Sequence, residues 1–199
     1  MEQANFITLT GDLVGMPEYS HSNHGRNFYS FYLDVARLSD TVDRLPILAP
    51  EFLLESMALS PGDTLAITGQ IRTYNNRSAV GRRLIISVLA ETVDFSEGPH
   101  ENDAELQGVI CKEPVYRRTP LGREICDIML AVNRAYHRSD YLPCILWGRT
   151  AEEAASYAVG TELALSGRMQ SRKYIKVLAD RTEERTAYEI SAMSVQVAE

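Results

Sequence analysis

The chain has 199 residues, 45% of them hydrophobic and 24% charged, with a formal net charge of −7 at pH 7. That length suits one domain or two, and no run approaches the ~20 apolar residues of a membrane helix. Cys111, Cys126 and Cys144 are odd in number and form no CxxC pair, which argues against a disulfide framework or a zinc site and for reduced thiols in a cytoplasmic protein. Residues 1–5 carry no basic flank and no long apolar stretch, so no signal peptide is expected.

In chain order, Ile7, Leu9 and the run to Leu13 read as a strand passing through Gly11, where a bulge or bend is expected. Pro17 and the Ser22-Asn23-His24-Gly25 cluster mark a loop. Phe31, Leu33 and Val35 alternate with polar or small neighbours, the pattern of a half-buried strand, and residues 45–48 form a short apolar one. Pro50 opens a predicted helix over 51–59, closed by Pro61-Gly62-Asp63. Residues 65–71 and 84–93 are the remaining strands of a first unit.

Residues 96–103 are polar, acidic and turn-forming, and read as a linker. After them the pattern begins again. At an offset of 97, Gly11, Pro17, Tyr19, Gly25, Leu33, Val35, Arg37, Asp43, Leu45 and Pro46 recur as Gly108, Pro114, Tyr116, Gly122, Leu130, Val132, Arg134, Asp140, Leu142 and Pro143. At 98, Gly62, Leu65 and Gly69 recur as Gly160, Leu163 and Gly167. Thr150-Ala151-Glu152-Glu153 reads as a capping box for a second short helix, and about six extra residues near 180–186 predict a projecting hairpin. The expectation is an all-β chain of two tandem five-stranded barrels, residues 1–95 and 104–199, each with one short helix between its third and fourth strands; this is the order of the OB-fold, which other five-stranded barrels share. The copies differ in charge: residues 1–102 hold 7 Lys+Arg against 13 Asp+Glu, whereas 103–199 hold 13 against 14. Binding depends on the local patch, so the net charge of the chain does not exclude a polyanion.

Residues 130–148 hold the only tryptophan, Trp147. Side chains alternate across a strand, so Leu142, Cys144 and Leu146 form an apolar core face, while Tyr141, Pro143, Ile145 and Trp147 share the other. Two rings on one face, with arginines nearby, suit stacking of bases beside a phosphate backbone; partly buried core aromatics are the competing reading. Arg168, Gln170, Arg172 and Tyr174 likewise share one strand face.

The run Leu130-Ala131-Val132-Asn133-Arg134, with Tyr141, Leu146-Trp147-Gly148, Gly160, residues 166–174 and Thr186-Ala187-Tyr188-Glu189, resembles the bacterial single-stranded DNA-binding protein (SSB) family across residues 105–195. The resemblance implies sequence-tolerant binding of single-stranded DNA in replication, recombination or repair, without chemistry or cofactor. It places stacking residues at Tyr136, Tyr141, Trp147 and Tyr174, with Arg134, Arg168, Arg172 and Lys173 as cationic partners, and Arg117 is added from an expected loop before Pro120. For Arg172 and Lys173 a solvated strand edge is the competing reading. Family members use four OB domains, so a two-domain chain implies a homodimer, nucleoid-associated and free of membrane. The first copy departs from the pattern: Ser39 stands opposite Tyr136, Arg44 opposite Tyr141 and Ala49 or Pro50 opposite Trp147, with only Tyr74 as a substitute ring. It is expected to keep the fold and lose affinity. Family proteins usually end in an acidic tail that recruits replication proteins, and residues 195–199 do not resemble one. The alternative is an OB-fold protein-interaction module of the primosomal kind. An enzyme is not expected, because His21, His24, His100 and His137 fall in predicted loops without ligand spacing and no phosphate loop is visible.

Overall fold

The computed structural model describes residues 5–75, 84–135, 138–178 and 181–198. Among these residues eleven strands and one α-helix follow one another as β1 (Asn5–Asn23), β2 (Arg26–Ala36), β3 (Val42–Pro50), β4 (Thr64–Asn75), β5 (Leu84–Phe95), β6 (Glu101–Ile110), β7 (Val115–Arg118), β8 (Glu124–Arg134), β9 (Arg138–Trp147), α1 (Gly148–Ala154), β10 (Glu162–Val177) and β11 (Thr182–Val197). The fold is all-β. Ladders β1–β2, β2–β3, β3–β5, β5–β4 and β4–β1 close a five-strand circuit, in which β3–β5 is the only parallel pair. The ladders β6–β8, β8–β9, β9–β11, β11–β10 and β10–β6 repeat that connectivity, again with one parallel pair, β9–β11.

Period-2 patterning explains the interior. Leu33 and Leu45, Leu65 and Ile67, and Leu130 and Leu142 sit on inward faces and are fully buried. Gly69 and Gly167 stand where the β4–β5 and β10–β11 registers slip by one residue. A Cβ there would lie 2.2 Å from the Leu89 carbonyl oxygen or 2.3 Å from that of Ser191, so glycine lets the strand bend against its neighbour.

Several sequence expectations change. The segment 51–59 forms only a 3-10 turn at Glu51–Leu53, although Leu53, Leu54, Met57 and Leu59 still pack on the core. Pro61 closes the stretch, and so few residues do not sustain a helix by themselves. Helix α1 starts at Gly148, with Trp147 as N-cap and no side-chain cap, so the capping box at Thr150 is not formed; buried Ala151 and Ala154 seat the helix instead. Strand β6 begins at Glu101, inside the expected linker, leaving 96–100 outside strands. Arg117 lies in the additional strand β7 rather than a loop, and β1 runs through Pro17 to Asn23, taking His21 with it. The expected projecting hairpin is the outer part of β10 and β11, with Val177 opposite Thr182.

The two circuits join along β1 and β6, antiparallel over Asn5–Thr10 and Glu101–Leu106. Ile7 faces Ala104, its own counterpart at offset 97, so a pseudo-twofold axis passes through this pair. The contacts around the axis obey it. Asn5 makes a two-way side-chain bond with the Ile71 backbone at 2.7 and 2.8 Å, and Asn102 does the same with Met169 at 2.7 and 3.0 Å. Each copy thus uses the same surface to hold the other.

Candidate nucleic-acid interface

On the second circuit, β7, the turn after it, β9, β10 and β11 surround an open groove of about 660 Å³. Its floor comes from the outward face of β9. Leu142, Cys144 and Leu146 are buried on the core side, while Trp147 remains 38% exposed at the strand end. The Trp147 Nε1–H donates to Ser191 Oγ at 3.0 Å, which fixes the indole in the groove. Along β10, Arg168, Gln170 and Arg172 line the same groove, as strand parity requires. Arg117 and Arg123 line it from the β7 side.

The groove is cationic with one internal acid. Arg117 is held by Asp127 at 2.7 Å, and that hydrogen bond pushes its guanidinium pKa further up. Glu189 accepts from Gln170 at 2.9 Å and lies 3.7 Å from Arg172 Nε. Its charge also raises Arg37 and Arg117, a smaller effect than their own carboxylate partners. The Nε of Arg168 is buried and has no hydrogen-bond partner among the described residues, an unused donor at the groove wall.

The remaining expected site residues are distributed differently. Tyr174 continues the Arg168–Arg172 face onto the outer hairpin, with the Arg172 guanidinium carbon 6.0 Å from its ring centroid. Lys173 points to the other side and pairs with Glu184 at 3.1 Å. Tyr141 is 45% exposed, but it lies about 20 Å along β9 from Trp147 and outside the groove lining. Its backbone N–H donates to Thr73 Oγ1 of the first copy at 2.9 Å. Arg134 does not reach this groove; it lines the first circuit's groove, about 970 Å³, beside Arg72 and Tyr74. Tyr136 lies outside the described residues, as does His137. Sequence reasoning missed Arg37, Arg123, Glu189 and Ser191.

The first groove is more apolar than the second. Val14, Met16, Phe28, Tyr32, Ile85 and Leu89 line it, with the exposed ring of Tyr74 at its side. Pro50 lies opposite Phe28 on the β2–β3 ladder, as Trp147 lies opposite Ile125 on β8–β9, so no indole stands at the equivalent place. Among the described residues no group of three or more His, Cys, Asp or Glu side chains could hold a metal ion. Among the described residues no helix is long and apolar enough to cross a membrane.

A model of the Single-strand binding protein family matches residues 101–198. Single-stranded DNA-binding protein B of Bacillus subtilis (strain 168) is 38% identical over 80 residues, which is 37% of this chain and 71% of that protein. A single-stranded DNA-binding protein of Halalkalibacterium halodurans is 34% identical over 107 residues, 49% of this chain and 61% of its relative. The crystal structure of the wild-type single-stranded DNA binding protein from Thermus aquaticus superposes with a TM-score of 0.80 at 21% identity, covering 98% of this chain and 93% of that one, which establishes a shared fold. The chain belongs to the single-strand binding protein family.

Proposed function

We propose that this protein binds single-stranded DNA with little sequence preference and without catalysing a reaction, mainly through the second copy, in replication, recombination or repair. The observation that carries the reading is the placement of half-exposed Trp147 among Arg117, Arg123, Arg168 and Arg172 in one open groove. A flat ring accepts any base, and guanidinium groups take the phosphates, which suits a sequence-tolerant ligand. In this reading residues 1–95 and 104–199 are two OB-fold units, and two chains associate to bring four units together in the nucleoid-associated cytoplasm. Membership of the family and the relatives named above support it.

Fluorescence anisotropy of labelled oligo-dT, against duplex DNA of equal length, tests the reading. Saturable binding of oligo-dT with weaker retention of duplex is expected; equal binding of both, or none, refutes it. Light scattering tests the association, a mass of two chains being expected.

A second reading applies to the first copy. Its apolar groove and its excess of acidic residues favour protein contacts over DNA. Under this reading Tyr74→Ala leaves oligo-dT affinity unchanged, whereas Arg172→Ala lowers it.

A further inference from the structure

The groove of the second copy is not built from the second copy alone. Arg37 and Ser39, at the end of β2 and in the turn after it, line the groove together with Arg168 and Arg172. Arg37 reaches across because Asp43 aims it. Its Nε and Nη2 donate to the two Asp43 carboxylate oxygens at 2.7 Å each, and Nη2 also approaches the Ser171 carbonyl oxygen of β10 at 3.4 Å. Asp43 is itself fully buried and anchored to the second copy, accepting from the Ser171 N–H at 2.7 Å and from its hydroxyl at 3.0 Å. A guanidinium held on one edge by a buried carboxylate presents its other edge outward. Nη1 of Arg37 has no hydrogen-bond partner among the described residues, and the side chain is 19% exposed.

A looser counterpart runs in the opposite direction. Arg134 of the second copy lies 3.6 Å from Asp140, an ion pair without the two-fold hydrogen bonding of Arg37, and lines the first copy's groove. Arg37 and Arg134, like Asp43 and Asp140, are counterparts at offset 97. The exchange is therefore a property of the pseudo-twofold pairing and not an accident of one loop.

We propose that the phosphate-binding wall of the second copy's groove is composite, with Arg37 of the first copy as a DNA-contacting residue and Ser39 bordering the path of the strand. This rests on the reading of the groove as a single-stranded DNA site. The acidic first copy then contributes to affinity through its neighbour's groove, whether or not its own groove holds DNA.

The test measures oligo-dT affinity of the full chain as a function of salt for the unaltered protein, Ser39→Glu, Arg37→Gln and Arg172→Gln. Ser39 is exposed in a turn, so a carboxylate there leaves the core untouched and repels a passing phosphate. Ser39→Glu is expected to weaken binding about tenfold near 0.1 M salt. Arg37→Gln is expected to make the log–log salt slope shallower by about 0.7, the share of one phosphate on a single strand, a change that a loss of fold stability alone does not produce. If Ser39→Glu binds like the unaltered chain while Arg172→Gln binds more weakly, the composite wall is wrong and the DNA site stands. If the unaltered chain does not bind oligo-dT, the DNA reading itself falls, and the composite wall with it. Should Arg37→Gln lower the thermal midpoint too far for titration, Ser39→Glu alone decides the matter.

Discussion

Asp43 and Asp140 stand 97 positions apart, both fully buried, and each accepts a backbone N–H from the opposite copy: Ser171 at 2.7 Å for Asp43 and Thr73 at 2.7 Å for Asp140. Each also holds arginine, Arg37 for Asp43 and Arg72 at 2.9 Å for Asp140. Removing one partner of a buried ion pair leaves the other charge without compensation. Asp43→Ala is expected to lower unfolding stability by about 3 kcal/mol. Asp140→Ala should cost a similar amount, and Asp43→Asn less, because the amide oxygen still accepts from Ser171. Denaturant unfolding measures this, and a loss no larger than that of an exposed control such as Arg149→Ala would contradict the inter-copy lock.

Gly167 is the second point of structural sensitivity. A Cβ at this position would approach the Ser191 carbonyl oxygen to 2.3 Å and the Ala192 Cα to 3.0 Å, both of them backbone atoms that cannot rotate aside. Gly167→Ala is expected to cost about 1–3 kcal/mol, the range for forced overpacking, and to disturb Ser191, the partner of Trp147. A shift in Trp147 fluorescence in the folded variant would show the disturbance reaching the groove, and unchanged stability would contradict the close approach.

Glu189 is the one carboxylate lining a groove that also carries five arginines. It holds Gln170 and Arg172 in place, but it also opposes an incoming phosphate. Glu189→Gln keeps the side-chain size and removes the charge. Oligo-dT affinity is expected to rise about five- to tenfold near 0.1 M salt. A fall in affinity would mean that positioning Arg172 outweighs the repulsion.

The thiols provide a check on the core. Cys126 and Cys144 are buried and Cys111 half-buried, all three free. Burial pushes the Cys144 thiol far above its ordinary pKa, with Glu189 adding to the shift, and burial raises Cys126 and Cys111 in the same direction. Thiolate is the reactive form, so raised values slow alkylation at pH 8. Under native conditions a thiol reagent is expected to label Cys111 first and to reach Cys144 only as the chain unfolds. Prompt labelling of Cys144 would contradict its burial on the core face of β9.

The sequence carried what depends on local periodicity. Alternation over 141–147 separated buried Leu142, Cys144 and Leu146 from exposed Tyr141 and Trp147, and parity put Arg168, Gln170 and Arg172 along one wall. What it did not carry is which copy's groove a residue enters. Arg134 sits six residues before Asp140 just as Arg37 sits six before Asp43, and this repeated Arg–Asp spacing was the available signal. Reading it correctly requires the β1–β6 pairing, a contact between residues about a hundred positions apart that no local pattern specifies. The first short helix, expected over 51–59, failed for a related reason, since packing of Leu54 and Met57 on the barrel satisfies that segment without α-helical turns.

Trp147 offers the most direct measurement, because it is the only tryptophan and its emission reports one place in the groove. If bases stack on its exposed face, adding oligo-dT should quench intrinsic fluorescence saturably, with the quench fading as salt is raised. Trp147→Ala should then weaken binding by about 1–3 kcal/mol, the range for one stacked base, while the thermal midpoint changes little, since the indole is partly exposed rather than core. Unchanged emission at an oligo-dT concentration that anisotropy proves saturating would contradict the account, as would a Trp147→Ala variant that loses its fold but keeps full affinity wherever it remains folded.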